Sequence, residues 1–308
     1  MTESTVAALT GPGNRGLMER FLRGCFIITF ALMSCIAAMA CAGLLLVPAS
    51  VLSTKRRKSA AALIVQFFWR VGMLLSPWIR VRKADGDEDR VLVPDETRPT
   101  IILVNHTSFL DTLLGVTLLP CGTVHRARTY LASYLLKIPL LSIMIRAIGH
   151  FPVYFKRSED GDFSVDKVRM KEVTRDVQEH LDQNGVLIFF PEGQINDTPD
   201  QLLDFRFGGM QTILDADARV VQLVTCGCHL CWPRSLQVGG YPCSVAYGLE
   251  EVAPEGARAL IRRLRSESND QGAVDLSLPD AAILAKFAHD MMQAQYDRLS
   301  ESLRQKHV

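Results

Sequence analysis

Apolar positions fall into short unbroken runs and longer helical stripes along this chain. Residues 100–104 are apolar and β-branched apart from an opening Thr, so they read as a buried strand. Residues 185–190 and 219–225 have the same character, and 241–247 reads as a further strand. Residues 149–157 read as one strand ending in two cations, Lys156 and Arg157. Between these runs the period changes. Residues 112–119 continue a helix that starts near Ser108, and 163–183 spaces Phe163, Val165, Val168, Val173, Val177 and Leu181 among charges as an outer helix does. Gln183-Asn184-Gly185 ends it, with Gly as the C-terminal cap. Residues 255–265 form a basic helix and 280–304 a long amphipathic one, while 128–146 is apolar apart from Lys137 and is broken at Pro139. The charged stretch 81–99 is a connector with one short strand at 91–93. Strands alternating with helices from residue 100 onward predict an α/β fold with a mostly parallel central sheet flanked by helices.

The N-terminal part follows another pattern. No residue from 24 to 54 is charged, which is long enough for a bilayer core of about 20 apolar residues. A secretory signal peptide has a shorter apolar core, about 7–15 residues, nearer the terminus. A retained membrane helix is the better fit. Arg15, Arg20 and Arg23 flank one end and Lys55-Arg56-Arg57-Lys58 the other, so the positive-inside rule leans only slightly toward a cytosolic Lys55 side. The stretch 60–79 is interrupted by Gln66, Arg70 and Pro77. Its aromatic residues suit a membrane interface, and its length and charge suit a core helix of the following domain equally well. The expected division is a disordered N-terminus over 1–23, a helical membrane anchor over 24–80 and a catalytic domain over 81–308.

Composition narrows the function classes. The chain has 308 residues, is 48% hydrophobic and carries a net charge of +1, so no strong field invites nucleic acid. Its 8 cysteines follow no framework spacing and read as reduced thiols. Four of the six residues Cys226-Gly227-Cys228-His229-Leu230-Cys231 are soft ligands, but zinc sites draw on two separated pairs, and only Cys243 follows. A redox pair wants a helix start, which Trp232-Pro233 disfavours. Small side chains at a strand end are the simpler reading. No P-loop or dinucleotide fingerprint is present.

Chemistry concentrates in Asn105-His106-Thr107-Ser108-Phe109-Leu110-Asp111. His106 and Asp111 would not share a face of one continuous helix. If the chain turns at Asn105-His106 before the helix begins, Asp111 can reach back to the imidazole, fix its tautomer and leave the other nitrogen as a base. Ser108-x-x-Asp111 is equally a capping box that needs no chemistry. Further on, the strand 185–190 ends in Pro191-Glu192-Gly193. Parallel sheets bind ligands at the carboxyl ends of their strands, which would gather His106, Asp111 and Glu192.

These two blocks, in this order, resemble the 1-acylglycerol-3-phosphate acyltransferases of the glycerolipid acyltransferase family. The resemblance implies a membrane-bound acyltransferase that moves a fatty acyl group from acyl-CoA, a co-substrate, to a lysophospholipid hydroxyl, most closely 1-acylglycerol 3-phosphate, with no cofactor and no metal. His106 is then the base and Asp111 its orienting partner, and backbone amides at the helix start would hold the oxyanion. Glu192 and Gly193 shape the acceptor site. Arg157, or Lys156, would meet the acceptor's phosphate, and Arg206 in Phe205-Arg206-Phe207-Gly208 would add charge. The partners implied are a phospholipid membrane, that of the endoplasmic reticulum if the cell is eukaryotic, and no nucleic acid, with the catalytic domain in the cytosol. Two features depart from the family: Gln194-Ile195-Asn196 stands where a hydroxyl residue and Arg usually follow Glu-Gly, and the distance from Gly149 to Arg157 is long. A different acceptor, a lysophosphatidylcholine or glycerol phosphate, and an inactive lipid-binding protein are the alternatives.

Overall fold

The computed structural model describes residues 15–84, 89–94, 97–157, 163–271 and 277–305. Helix α1 (Leu17–Leu46) and helix α2 (Thr54–Leu74) lead into strand β1 (Ile79–Lys83). There follow β2 (Thr100–Val104), α3 (Phe109–Thr117), α4 (Cys121–Val124), β3 (Ala127–Ala132) and α5 (Pro139–Ile148). Next are β4 (Phe151–Val153), β5 (Phe155–Arg157), β6 (Phe163–Val165), α6 (Lys167–Asp182), β7 (Val186–Phe189) and α7 (Phe207–Asp215). The chain ends with β8 (Arg219–Cys226), α8 (Cys228–Cys231), β9 (Cys243–Ala253), α9 (Ala257–Gln271) and α10 (Asp280–Gln305).

Seven strands form one sheet in the order β1-β9-β8-β2-β7-β3-β4. Every neighbouring pair is parallel except β8 with β9. The mostly parallel sheet expected from the apolar runs is therefore the observed one, and helices cover both faces. β2 lies in the middle and is buried along its whole length. Its Ile101 and Leu103 pack with Val177, Leu181, Met210 and Met292 of α6, α7 and α10, while Ile102 and Val104 pack with Leu119 and Val124 on the other side. Burial on both faces is what makes such a strand a continuous apolar run.

Several elements differ from the expected ones. Residues 149–157 do not form one strand. β4 joins the main sheet, and β5 leaves it to pair antiparallel with β6, Arg157 opposite Phe163. The break comes at Tyr154, whose carbonyl accepts from the N–H of Asp166 at 2.8 Å. Asp166 then caps α6, accepting from the amides of Val168 and Arg169, so Phe163 and Val165 belong to a strand and not to that helix. Asn184, not Gly185, takes the left-handed conformation (φ 54°) after α6. Residues 89–92 form a 3-10 turn in place of the expected strand.

Helix α1 begins at Leu17, inside the segment 1–23 expected to be disordered; residues 1–14 lie outside those described. At 30 residues it is long and apolar enough to cross a membrane. It is also docked on the domain. Arg23 donates from Nε and Nη2 to the carbonyl of Val238 at 3.1 and 2.8 Å, and Arg15 and Arg23 lie over the Tyr241 ring. Pro48 follows the end of α1 within the uncharged run, and Lys55–Lys58 fall within the first turns of α2. On α2, Ala61, Ala62, Val65, Gln66 and Trp69 are buried, and Gln66 Nε2 donates to the carbonyls of Val116 and Leu119 at 2.9 and 2.7 Å. Phe67 on the opposite side is exposed. The helix thus has a core face and an apolar outer face.

Candidate functional site

The site is built where the chain leaves β2. Asn105 pins that exit to the end of β8: its Nδ2 donates to the Thr225 carbonyl and its Oδ1 accepts from the Thr225 amide, both at 2.8 Å. The chain turns at His106, and α3 starts after Ser108. Ser108 Oγ accepts from the Leu110 amide at 3.1 Å and donates to the Trp232 carbonyl at 2.7 Å. Its hydroxyl hydrogen is thereby committed to a cap and a cross-link, which leaves Ser108 no part as a nucleophile.

Asp111 sits wholly buried in the first turn of α3. Its Oδ2 accepts from the amides of Thr107 at 2.6 Å and Ser108 at 2.8 Å, and lies 3.6 Å from His106 Nδ1. The capping box and the His–Asp pair are therefore both present, and one carboxylate serves both. At 3.6 Å the pair is close but longer than a hydrogen bond, and His106 Nδ1 has no hydrogen-bond partner among the described residues. The imidazole is stacked on Phe190, ring centroids 3.9 Å apart and planes within 18°, and 13% of its side chain reaches the surface.

Glu192 is turned inward. Its carboxylate accepts from the His106 amide at 2.7 Å and the Leu203 amide at 3.0 Å, and it is fully buried. Burial pushes its pKa up, while the hydrogen bonds from Leu203 and His106 pull it back only in part. Glu192 braces the His106 turn. Gly193 has φ +73°, and a Cβ there would meet Arg206 Cγ at 3.1 Å. Arg206 lies exposed across this loop, with its amide on the Pro191 carbonyl at 2.8 Å and Nε on the Glu192 carbonyl at 3.4 Å.

The structure thus brings together His106, Asp111, Glu192, Gly193 and Arg206. It does not place Arg157 on the sheet edge with them: its backbone ends β5 in the two-stranded ribbon, and its side chain lies outside the described residues. Lys156 Nζ pairs with Asp166 at 3.3 Å. Around the start of α3 the amides of His106, Thr107, Ser108 and Leu110 are not free for an oxyanion, because they donate to Glu192, Asp111 and Ser108. Three contributors escaped the sequence reading. Phe190 supports the imidazole, the Asn196 amide donates to the His106 carbonyl at 2.7 Å, and Thr225 Oγ1 donates to Asp111 Oδ1 at 3.0 Å. Only the position of Thr225 at the end of an apolar strand hinted at the last.

The Acyltransferase family model matches residues 86–227, the stretch from just after β1 to the end of β8. A 1-acyl-sn-glycerol-3-phosphate acyltransferase from Cocos nucifera is 32% identical over 148 residues, covering 48% of this chain and 44% of that protein. The match therefore spans less than half the length of this relative. The crystal structure of the 1-acyl-sn-glycerophosphate (LPA) acyltransferase PlsC from Thermotoga maritima is similar in fold, with a TM-score of 0.56 at 18% identity over 85% of this chain and 99% of that one.

Proposed function

We propose, from the premise that residues 86–227 belong to the acyltransferase family, that this chain moves a fatty acyl group from acyl-CoA to the hydroxyl of a lysophospholipid at a membrane surface. The observation that supports this most is the His106–Asp111 pair, 3.6 Å apart on the turn that leaves the central strand. The acceptor hydroxyl gives its proton to His106 as its oxygen attacks the thioester carbonyl carbon. The carbon–sulfur bond breaks, and the proton passes from His106 to the departing thiolate, leaving free CoA. Asp111 orients the ring and stabilises the imidazolium. No cofactor or metal takes part in this scheme.

In this reading the acceptor is 1-acylglycerol 3-phosphate and the product phosphatidic acid. Arg206 is the exposed cation over Glu192-Gly193 and would meet the phosphate. The acceptor is also where a second reading has its support: Gln194 supplies no charge, and Lys156 is held by Asp166. A zwitterionic lysophospholipid needs fewer cations.

The test is the full chain in phospholipid vesicles, given radiolabelled acyl-CoA or acyl carrier protein and a panel of lysophosphatidate, lysophosphatidylcholine and glycerol phosphate. Highest kcat/KM on lysophosphatidate, cut by Arg206→Ala with the acyl-CoA KM unchanged, supports the first reading. Highest kcat/KM on lysophosphatidylcholine, indifferent to Arg206→Ala, supports the second. Transfer to none of them leaves a lipid-binding protein.

A further inference from the structure

The segment that follows β8 touches the His106–Asp111 turn at several points. Thr225 Oγ1 donates to Asp111 Oδ1 at 3.0 Å, closer than its alternative acceptor Asn105 Oδ1 at 3.2 Å. Gly227, with φ +92°, then turns the chain so tightly that a Cβ there would lie 2.4 Å from the Ser244 carbonyl oxygen. That turn sets the Cys228 thiol beside Asp111, and four residues later the Trp232 carbonyl receives the Ser108 hydroxyl. Thr225, Cys228 and Asp111 are all fully buried.

The two carboxylate oxygens are thus held from opposite sides. Oδ2 belongs to the amides of Thr107 and Ser108, which come with the helix start itself. Oδ1 is held from the end of β8, more than a hundred residues away in sequence. The backbone pairing of Asn105 with Thr225 already ties β2 to β8 without the threonine side chain. The Thr225 hydroxyl is therefore not needed for that tie. What it fixes is the rotation of the carboxylate about its Cβ–Cγ bond, and with it the direction in which Oδ2 faces His106 Nδ1.

We infer that Thr225 is a positioning residue that holds the Asp111 carboxylate in the plane required to orient His106, an inference that rests on the His–Asp reading above. The effect should appear in kcat, because a ring held less well transfers its proton less often while both substrates still bind.

The experiment compares acyl transfer by the full chain in vesicles for the wild type, Thr225→Val, Thr225→Ser, Thr225→Ala, His106→Ala and Asp111→Asn. Thr225→Val keeps the β-branched shape and removes only the donor. It should lower kcat about tenfold or more with both KM values unchanged, whereas Thr225→Ser should remain within about twofold of the wild type. Thr225→Val should also add nothing further in the Asp111→Asn background, since it acts through Asp111. Equal kcat for Thr225→Val and the wild type, or a full tenfold loss again on top of Asp111→Asn, overturns the inference. If His106→Ala retains wild-type activity, the His–Asp reading itself has failed, which is a separate result. Should Thr225→Val not accumulate as folded protein, Thr225→Ala carries the same comparison: a kcat loss seen only where Asp111 is present supports the inference, and wild-type kcat overturns it.

Discussion

A carboxylate with no exposed surface ordinarily demands partners for both its oxygens, and Glu192 has one backbone amide for each. One of these is the amide of His106, so Glu192 sets the turn on which the imidazole hangs. Glu192→Gln keeps one acceptor but sets an amide NH2 against a backbone N–H. It should destabilise the fold by about 1–3 kcal/mol at neutral pH. The raised pKa of Glu192 fixes the sign of the pH dependence. A carboxyl that binds its proton more tightly when folded contributes stability in full below its ordinary value of 4.5, and loses it as pH rises through the higher native value. Lowering pH from 7 toward 5 should therefore stabilise the wild type relative to Glu192→Gln, measured as the difference in Tm between the two in detergent micelles. A difference that stays flat over that range would show that Glu192 does not titrate above the ordinary carboxylate range. His106, Asp111 and Glu192 were legible because each lies in a short local motif. Thr225 was not, because its contact with Asp111 joins residues 114 apart, and nothing in the local pattern of β8 marks which neighbour it faces.

Among the elements, the continuous apolar runs were the easiest to read, since a strand buried on both faces leaves no other pattern. β2, β7 and β8 fall within a residue or two of their expected bounds. The break between β4 and β5 was hidden, because Phe151 to Phe155 keeps strand-like residues throughout while the bend depends on Asp166 reaching the Tyr154 carbonyl. β9 runs on to Ala253, past the 241–247 read as its strand, because it pairs with nearly the whole length of β8. Helix α2 had two readings from its sequence, and its contacts decide what the polar interruption does. Gln66 is buried and donates to the Val116 carbonyl, which the last turn of α3 leaves open. Arg70 shares the Leu119 carbonyl with it. Gln66→Leu should therefore cost about 1–3 kcal/mol, the penalty of leaving a buried carbonyl unpaired, read by chemical denaturation in detergent. A loss under about 0.5 kcal/mol, the size of an ordinary surface change, would mean that water replaces the side chain.

Across the whole molecule, the same helix meets two environments. On α1, Leu17, Phe21, Ile28, Met39 and Leu46 are exposed, whereas Phe26 is fully buried. Phe26 fits against Gly240, where a Cβ would lie 2.4 Å from its ring, and meets the Trp232 ring edge-on at 6.2 Å. An apolar face of this length turned to solvent marks a membrane or partner surface, and a membrane is the reading proposed here. The uncharged run announced the exposed face, but the docked one depends on Arg15, Arg23 and Phe26 meeting residues 230–241, which no local pattern discloses. Removing residues 15–53 should take the chain off phospholipid vesicles in a flotation assay and uncover Trp232, so that the truncated protein aggregates in the absence of detergent. Flotation equal to that of the full chain would contradict the anchor. The strand order was likewise beyond the sequence, because it is set by which edges meet across the molecule.

The most direct measurement is the single-turnover rate at which the full chain in vesicles converts radiolabelled acyl-CoA and its preferred lysophospholipid to diacyl product, for the wild type and His106→Ala. The substitution removes the imidazole from the Phe190 face and leaves Asp111 hydrogen-bonded to Thr107, Ser108 and Thr225, so the fold and membrane binding should persist. The predicted result is a rate lower by at least about 10², the low end of what a general base contributes, with membrane-bound protein at wild-type level. Transfer by His106→Ala at the wild-type rate would contradict the account.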